Sequence, residues 1–272
     1  MTFASVMVPL DPGPYTISRL NLAQSLAKRF KARLWGIAAR EALTMQLYGR
    51  GAYINERIAV TATDCLLEEM AQVETEFRRA TSDFEGTHWR SAHADPFTFL
   101  VSQASSADLI VVNRYHEESM HDWCCRIDPG ELILHLGRPV LVAPPFVNEI
   151  ALHRIVIAWK DTREARRAVK DGLPFLKEAE EVIIAAVGGE ADSGGQHQLS
   201  EYLAQHGITR IRQVRPVPRG GIASEIMTVA RQEAAELIIA GAYGHSRMRE
   251  VIFGSVTRDL LEAAPVCCMM SH

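Results

Sequence analysis

The sequence predicts an α/β protein that uses one parallel-sheet plan twice. Three observations carry the prediction. Apolar runs of strand length alternate with amphipathic stretches along the chain, the alternation restarts after Pro144-Pro145-Phe146-Val147-Asn148-Glu149, and residues of the second pass align with those of the first.

The first pass opens with Val6-Met7-Val8-Pro9-Leu10-Asp11, a short apolar strand running into a turn at Pro12, Gly13 and Pro14. Ser18 to Phe30 follows with Leu20, Leu22, Ala23, Leu26 and Ala27 at helical spacing, so a strand, a turn and a helix begin a βαβ unit. Leu34 to Ala39 is the next strand, and a variable loop lies around Tyr48 to Tyr53. From about Asn55 to Ala80, the residues Ile58, Ala62, Cys65, Leu66, Met70 and Val73 form one stripe among many charges, the pattern of an amphipathic helix. A polar strand near Thr87 to Ala92, a helix from Pro96 to Ser105 and the apolar strand Leu109 to Val112 continue the alternation. The helix Glu131 to Leu136 and the strand Pro139 to Ala143 close it.

The second pass starts with the strand Arg154 to Trp159, after a short linker marked by two prolines and a polar run. A helix over Arg163 to Leu176, a strand over Val182 to Val187, a helix over Leu199 to His206, a strand over Ile208 to Val217 and a helix over Ile222 to Gln232 follow. Leu237 to Ala240 and Pro265 to Met270 are the last two strands, with the amphipathic segment Arg258 to Ala264 between them. Each half reads βαβαβαβαβ, which gives a parallel sheet covered by helices on both faces.

The repeat is visible in the residues. Ala107-Asp108-Leu109-Ile110-Val111-Val112-Asn113-Arg114-Tyr115-His116 lines up with Ala235-Glu236-Leu237-Ile238-Ile239-Ala240-Gly241-Ala242-Tyr243-Gly244. Gly137-Arg138-Pro139-Val140 likewise lines up with Ala263-Ala264-Pro265-Val266, which places Asp128-Pro129 opposite Gly254-Ser255.

The stretch around Gly241 organises the functional reading. A strand ends in Gly241, Gly244 follows three positions later, and Gly254-Ser255-Val256-Thr257 opens a helix in the pattern G-x2-G-x9-G-[ST]. With glycine at about 7% of residues, this pattern arises by accident in roughly one chain in a hundred of this length. A loop folded around a phosphate or ribose needs main chain without Cβ atoms, and a helix start offers free N–H groups that the Ser255 and Thr257 hydroxyls can supplement. The alternative is that the glycines only make tight turns in a sheet protein. In the first half Asn113 and His116 stand at the two glycine positions, a carboxylate at Asp128 would repel phosphate, and Pro129 has no N–H to offer. An anion site is therefore expected in the second half alone. His245, Ser246, Arg247 and Arg249 follow the second glycine, where a cation would neutralise phosphate charge or where the loop is simply solvated.

Gly241-Ala242-Tyr243-Gly244-His245-Ser246-Arg247 through Gly254-Ser255 resembles the nucleotide-binding signature of the universal stress protein (UspA-like) family. The resemblance extends over essentially the whole chain as a tandem pair. It implies two doubly wound five-stranded parallel-sheet domains, 1–146 with a degenerate nucleotide loop and 152–272 with the intact motif. Many family members bind ATP at the carboxyl ends of the strands, with adenine near the ends of the first two strands and the ribose and phosphates on the glycine loop. Carried over, this implies Ala158 and Val187 for the adenine, Gly241, Gly244 and His245 for the loop, and Gly254, Ser255, Val256 and Thr257 for the helix start. The implied ligand is ATP or another adenine nucleotide, with Mg2+ as an accompanying ion. The family pattern often has an aspartate just after the first strand. Asp11 keeps it in the first half, but Lys160 stands there in the second and Asp161 is one place late, which unsettles ATP over other adenine nucleotides. Family domains usually pair, so the strands Val140 to Ala143 and Val266 to Met270 are the expected edges of an internal pseudo-dimer, and a homodimer is the further assembly that the resemblance allows.

Composition sets the outer limits. With 272 residues, 47% hydrophobic and 23% charged, the chain has the composition of an ordinary globular protein and length for one large domain or two typical ones. A net charge of −4 and a pI near 6.2 leave no basic footprint for nucleic acid or a membrane surface, and neither partner is expected. Met1 to Asp11 lacks a basic n-region and reads as a strand rather than a signal peptide. The five cysteines are odd in number and lack C-x-x-C spacing, which suits a reduced, cytoplasmic setting.

Three functional classes follow. The first is a stress-response or regulatory protein that binds an adenine nucleotide in its second half. The second is a slow ATPase or nucleotidyl-transfer enzyme, although the sequence has no G-x4-G-K-[ST] loop, no acid pair placed for magnesium and no G-x-S-x-G elbow. The third is an interaction module without nucleotide. No catalytic residue is assigned. His116, His121, Cys124 and Cys125 cluster, but adjacent cysteines lack the gap of a zinc knuckle, and no metal site is assigned.

Overall fold

The computed structural model describes residues 2–41, 56–114, 127–187, 193–217, 220–244 and 255–272. The loop around Tyr48 to Tyr53 and the residues His116, His121, Cys124 and Cys125 lie outside them.

Among the described residues, ten strands form one sheet. In chain order the strands and helices are β1 (Ser5–Pro9), α1 (Thr16–Phe30), β2 (Arg33–Ala39), α2 (Glu56–Ala80), β3 (Thr87–Ala92), α3 (Pro96–Gln103), β4 (Leu109–Asn113), α4 (Pro129–His135) and β5 (Val140–Ala143). The second pass comprises β6 (Arg154–Ala158), α5 (Arg163–Asp171), α6 (Leu173–Glu178), β7 (Glu181–Ala185), α7 (Ser193–Gln205), β8 (Ile211–Val214), α8 (Ile222–Gln232), β9 (Leu237–Gly241), α9 (Ser255–Ala263) and β10 (Cys267–Ser271). The protein is thus α/β, with strand order β3-β2-β1-β4-β5-β10-β9-β6-β7-β8. Among the described residues, every pairing is parallel except that of β5 and β10, which run antiparallel, with Val140 opposite Met270 and Val142 opposite Cys268.

Most expected elements lie within a few residues of the observed ones, and the larger differences have local causes. The helix expected over Arg163 to Leu176 is two helices, because Pro174 cannot donate to the preceding turn and the chain breaks at Gly172. The helix expected from Leu199 begins at Ser193. Its polar first turns are recruited by Gln196, a fully buried residue whose Nε2 donates to the carbonyls of Ile184 (3.1 Å) and Val214 (3.3 Å). The strand expected over Ile208 to Val217 shortens to Ile211–Val214 at the sheet edge, where it has one neighbour.

Alternation along the strands divides the core by face. Val6, Val8, Ile155, Ile157, Leu237 and Ile239 pack on one side with α1, α5 and α7 residues such as Leu26, Val169 and Leu203. Met7, Val156, Ile238 and Ala240 pack on the other with Ala223 and Ile226 of α8 and Leu260 of α9. The first of these layers is continuous across the β5–β10 seam: Phe3 packs edge-on against both Phe30 and Phe175 at 5.1 Å between ring centroids, and Phe30 lies 5.4 Å from Phe175. Among the described residues, no helix is long and apolar enough to cross a membrane.

Candidate functional site

In a parallel sheet, the chain leaves adjacent strands in opposite directions where the strand order reverses, and a crevice opens outside their carboxyl ends. In the second half β6 lies between β9 and β7, so this crevice falls at the ends of β6 and β9. The sheet register places Ala158 beside Ala240 on one flank and Ala185 on the other. Ala158 and Gly241 are therefore close neighbours at the strand ends. Val187 lies just past β7 and is half-buried against the α8 and α9 side of the core.

Gly241 is held by main chain. A Cβ there would lie 2.6 Å from the Glu164 carbonyl carbon and 2.8 Å from the Ala165 Cα, so the first turn of α5 seats directly on the end of β9. Gly244 is exposed, and a Cβ there would lie 3.0 Å from Glu164 Oε2 and 3.4 Å from Thr162 Oγ1. Neither glycine has a positive φ, whereas Tyr243 between them does, at 57°. This left-handed residue is pinned on several sides. Its N–H donates to Thr257 Oγ1 at 3.2 Å, its ring meets His272, and its hydroxyl abuts Gly130 of α4, where a Cβ would lie 2.5 Å away.

Thr257 is 5% exposed and ties the glycine loop to the first turn of α9. Val256 is half-buried beside it, and Ser255 is the first residue of α9. His245 and Gly254 lie outside the described residues. The structure thus brings together Ala158, Gly241, Gly244 and Thr257.

Sequence reasoning missed Thr162, Glu164, Tyr243 and His272. Thr162 caps α5 by accepting from Ala165 N–H at 3.3 Å. Glu164 is 3% exposed and accepts from the Arg163 guanidinium. Burial pulls the Glu164 carboxyl upward, but Arg163, its own N–H and the Thr162 hydroxyl together hold it below the ordinary glutamate range. Sequence signals for these contacts are weak: a threonine before a helix suggests a cap, but nothing distinguishes a buried glutamate in the first turn from a solvated one. Lys160, which follows β6, is exposed, while Asp161 pairs with Arg166 at 2.7 Å.

The corresponding place in the first half is filled. Arg19 is 7% exposed; it donates to Asn113 Oδ1 at 3.0 Å, to Asp11 Oδ2 at 2.5 Å and to Thr16 Oγ1 at 3.1 Å. Burial pulls the Asp11 carboxyl upward, but Arg19, Gly13 N–H and the Thr16 hydroxyl outweigh it and keep the group below its usual range. Asp128 turns its carboxylate onto Gly130 N–H at 2.7 Å, capping α4, and Pro129 occupies the first helical turn.

Residues 151–272 match the universal stress protein family. Among solved structures, a universal stress protein from Archaeoglobus fulgidus DSM 4304 is similar over 98% of this chain and 95% of its own, at 17% identity and a TM-score of 0.72. A putative universal stress protein from Pseudomonas aeruginosa UCBPP-PA14 is similar over 99% and 93%, at 14% identity and a TM-score of 0.59. At these identities the likeness speaks for the fold. No curated protein matches the sequence.

Proposed function

We propose that the second half, residues 152–272, binds an adenine nucleotide outside the ends of β6 and β9, and that the protein acts in stress response or regulation rather than catalysis. The observation that carries this reading is the contrast between equivalent places. In one half neither glycine brings a side chain, Gly241 lying under the first turn of α5 and Gly244 at the exposed end of the loop, whereas the Arg19, Asp11 and Asn113 network occupies the equivalent place in the other. The family match over 151–272 supports it.

In this reading Ala158 and Val187 flank the adenine, and Gly241 and Gly244 admit the ribose and phosphate side. The first turn of α9, Ser255 to Thr257, takes the anion, the sequence motif assigns Gly254 and His245 to the same ligand, and Mg2+ accompanies the ligand where phosphates need it. The halves 1–146 and 152–272 are two domains joined as an internal pair, a reading supported by the antiparallel β5–β10 seam and the Phe3, Phe30 and Phe175 cluster. We place the protein in the cytoplasm, a setting that its exposed Cys65 and unpaired Cys267 and Cys268 suit.

Purification under native conditions, followed by mass spectrometry of released small molecules and calorimetric titration with adenosine, AMP and ATP, tests the reading. One binding event per chain supports it. The absence of any adenine ligand and of any heat of binding would refute it, and turnover of labelled ATP would move the protein to the enzyme class.

A further inference from the structure

Gly130 is the second residue of α4, in the first half, and the helix itself does not ask for a glycine there. Its φ is not positive, and glycine in a helix is less favourable than alanine. What requires it is space. A Cβ on Gly130 would lie 2.5 Å from the Tyr243 hydroxyl, 3.2 Å from Asp128 Oδ1 and 3.6 Å from Leu261 Cδ1. Small shifts of Asp128 and Leu261 would admit a methyl group, whereas the Tyr243 hydroxyl stands in its place. Gly130 is buried, and the Asp128 carboxylate accepts from its N–H at 2.7 Å, so the turn is held and the strain of an added Cβ falls on Tyr243.

Tyr243 is the middle of the second half's glycine loop and has little freedom of its own. Its backbone is left-handed, at φ 57°, and its N–H donates to Thr257 Oγ1 at 3.2 Å in the first turn of α9. The preceding residue is tied on both sides: Ala242 N–H donates to the Ser271 carbonyl at 2.9 Å, and its carbonyl accepts from His272 Nδ1 at 3.1 Å. A left-handed residue other than glycine persists where its surroundings over-determine it, and α4 is one of those surroundings. A second contact crosses between the halves in the same region, since Arg114 at the end of β4 donates to the carbonyl of Ala264, just past α9.

Resting on the reading of residues 152–272 as the binding half, we infer that the first half positions the ligand loop of the second, with Gly130 as the positioning residue and the Tyr243 hydroxyl as the group it bears on. A displaced Tyr243 side chain turns the peptides that join it to Ala242 and Gly244, the main chain assigned to the ribose and phosphate side. The half without the glycine pattern thereby shapes the site of the other.

The test uses the full chain as wild type, Gly130→Ala, Tyr243→Phe and the double variant. Adenosine is titrated calorimetrically, hydrogen exchange at the Tyr243 amide is followed by NMR in the unliganded protein, and melting temperatures verify folding. Gly130→Ala is expected to speed exchange at the Tyr243 amide and to weaken adenosine binding about tenfold. In the Tyr243→Phe background, where the hydroxyl is gone, the same substitution should change affinity less than about twofold, the non-additivity of residues in contact. Equal losses in the two backgrounds overturn the inference, because they assign the effect to α4 alone. Gly130→Ala that binds and exchanges like the wild type also overturns it. If Gly130→Ala alone does not fold, a folded double variant that binds adenosine supports the contact, and loss of folding in both overturns it. No adenosine binding by any protein, with Tyr243 exchange raised by Gly130→Ala only where the hydroxyl is present, upholds the positioning contact and refutes the adenine site.

Discussion

Replacing Gly241 by alanine separates two reasons for a glycine at the end of β9. The added Cβ would sit 2.6 Å from the Glu164 carbonyl carbon and 2.8 Å from the Ala165 Cα, both main-chain atoms that cannot rotate away. The whole first turn of α5 must then lift from the sheet, disturbing the buried Ala165, Ala168 and Val169. Overpacking of this kind costs about 1–3 kcal/mol, and a clash with backbone belongs at the upper end. The loss of chain freedom in the unfolded state returns about 0.4–1 kcal/mol, leaving about 2 kcal/mol net. For a chain of this size that lowers the melting temperature by roughly 4–8 °C. Gly244→Ala is the control. Its nearest contacts are the side-chain atoms Glu164 Oε2 at 3.0 Å and Thr162 Oγ1 at 3.4 Å, which need to give by only a few tenths of an ångström rather than shift the backbone, and its stability should stay within about 1 kcal/mol of wild type. Scanning calorimetry and urea unfolding of the three proteins decide the matter. Gly241→Ala melting with the wild type would refute the reasoning, as would equal losses in the two variants.

Other consequences follow from the same geometry. Gly244→Asp, which puts a charged side chain into the loop, should weaken adenine-ligand binding far more than His116→Asp does in a titration. Phe175→Ala should cost about 3–5 kcal/mol, and hydrogen exchange should show protection falling in both halves, because Phe175 packs against Phe3 and Phe30 of the first. The Asp11 carboxyl is held below its ordinary 3.8 in the folded chain. Its stabilisation is therefore present above that value and lost as the pH falls through the lower folded one, so Asp11→Asn should flatten the acid limb of stability measured by urea unfolding below about pH 4. Burial pushes the Cys268 thiol up to about 12 and the Cys267 thiol higher still. Iodoacetamide at about pH 8 should label Cys65 and spare both until denaturant is added, as read by peptide mapping.

The fold was legible because its signals are local and periodic. Apolar runs such as Leu237 to Ala240 mark buried strands, and the restart at Arg154 shows the plan repeated. The antiparallel β5–β10 pairing could be anticipated only as two apolar edges seeking a partner, since strand direction depends on how the halves meet. At the site the sequence showed bare main chain at Gly241 and Gly244 but not what approaches it. Gly241 is required by the α5 backbone, a contact between residues far apart in the chain. The Arg19 network was equally hidden: Asn113 and Asp11 were visible as departures from the second half's pattern, but a helical arginine gives no sign that it will be buried between them.

The most direct test of the central claim is a crystal structure of the full chain with AMP. The nucleotide is expected outside the ends of β6 and β9, its adenine between Ala158 and Val187 and its ribose and phosphate along Gly241 to Gly244. AMP bound instead over Arg19 and Asn113 in the first half, or the crevice at Gly241 left empty at saturating AMP, would contradict it.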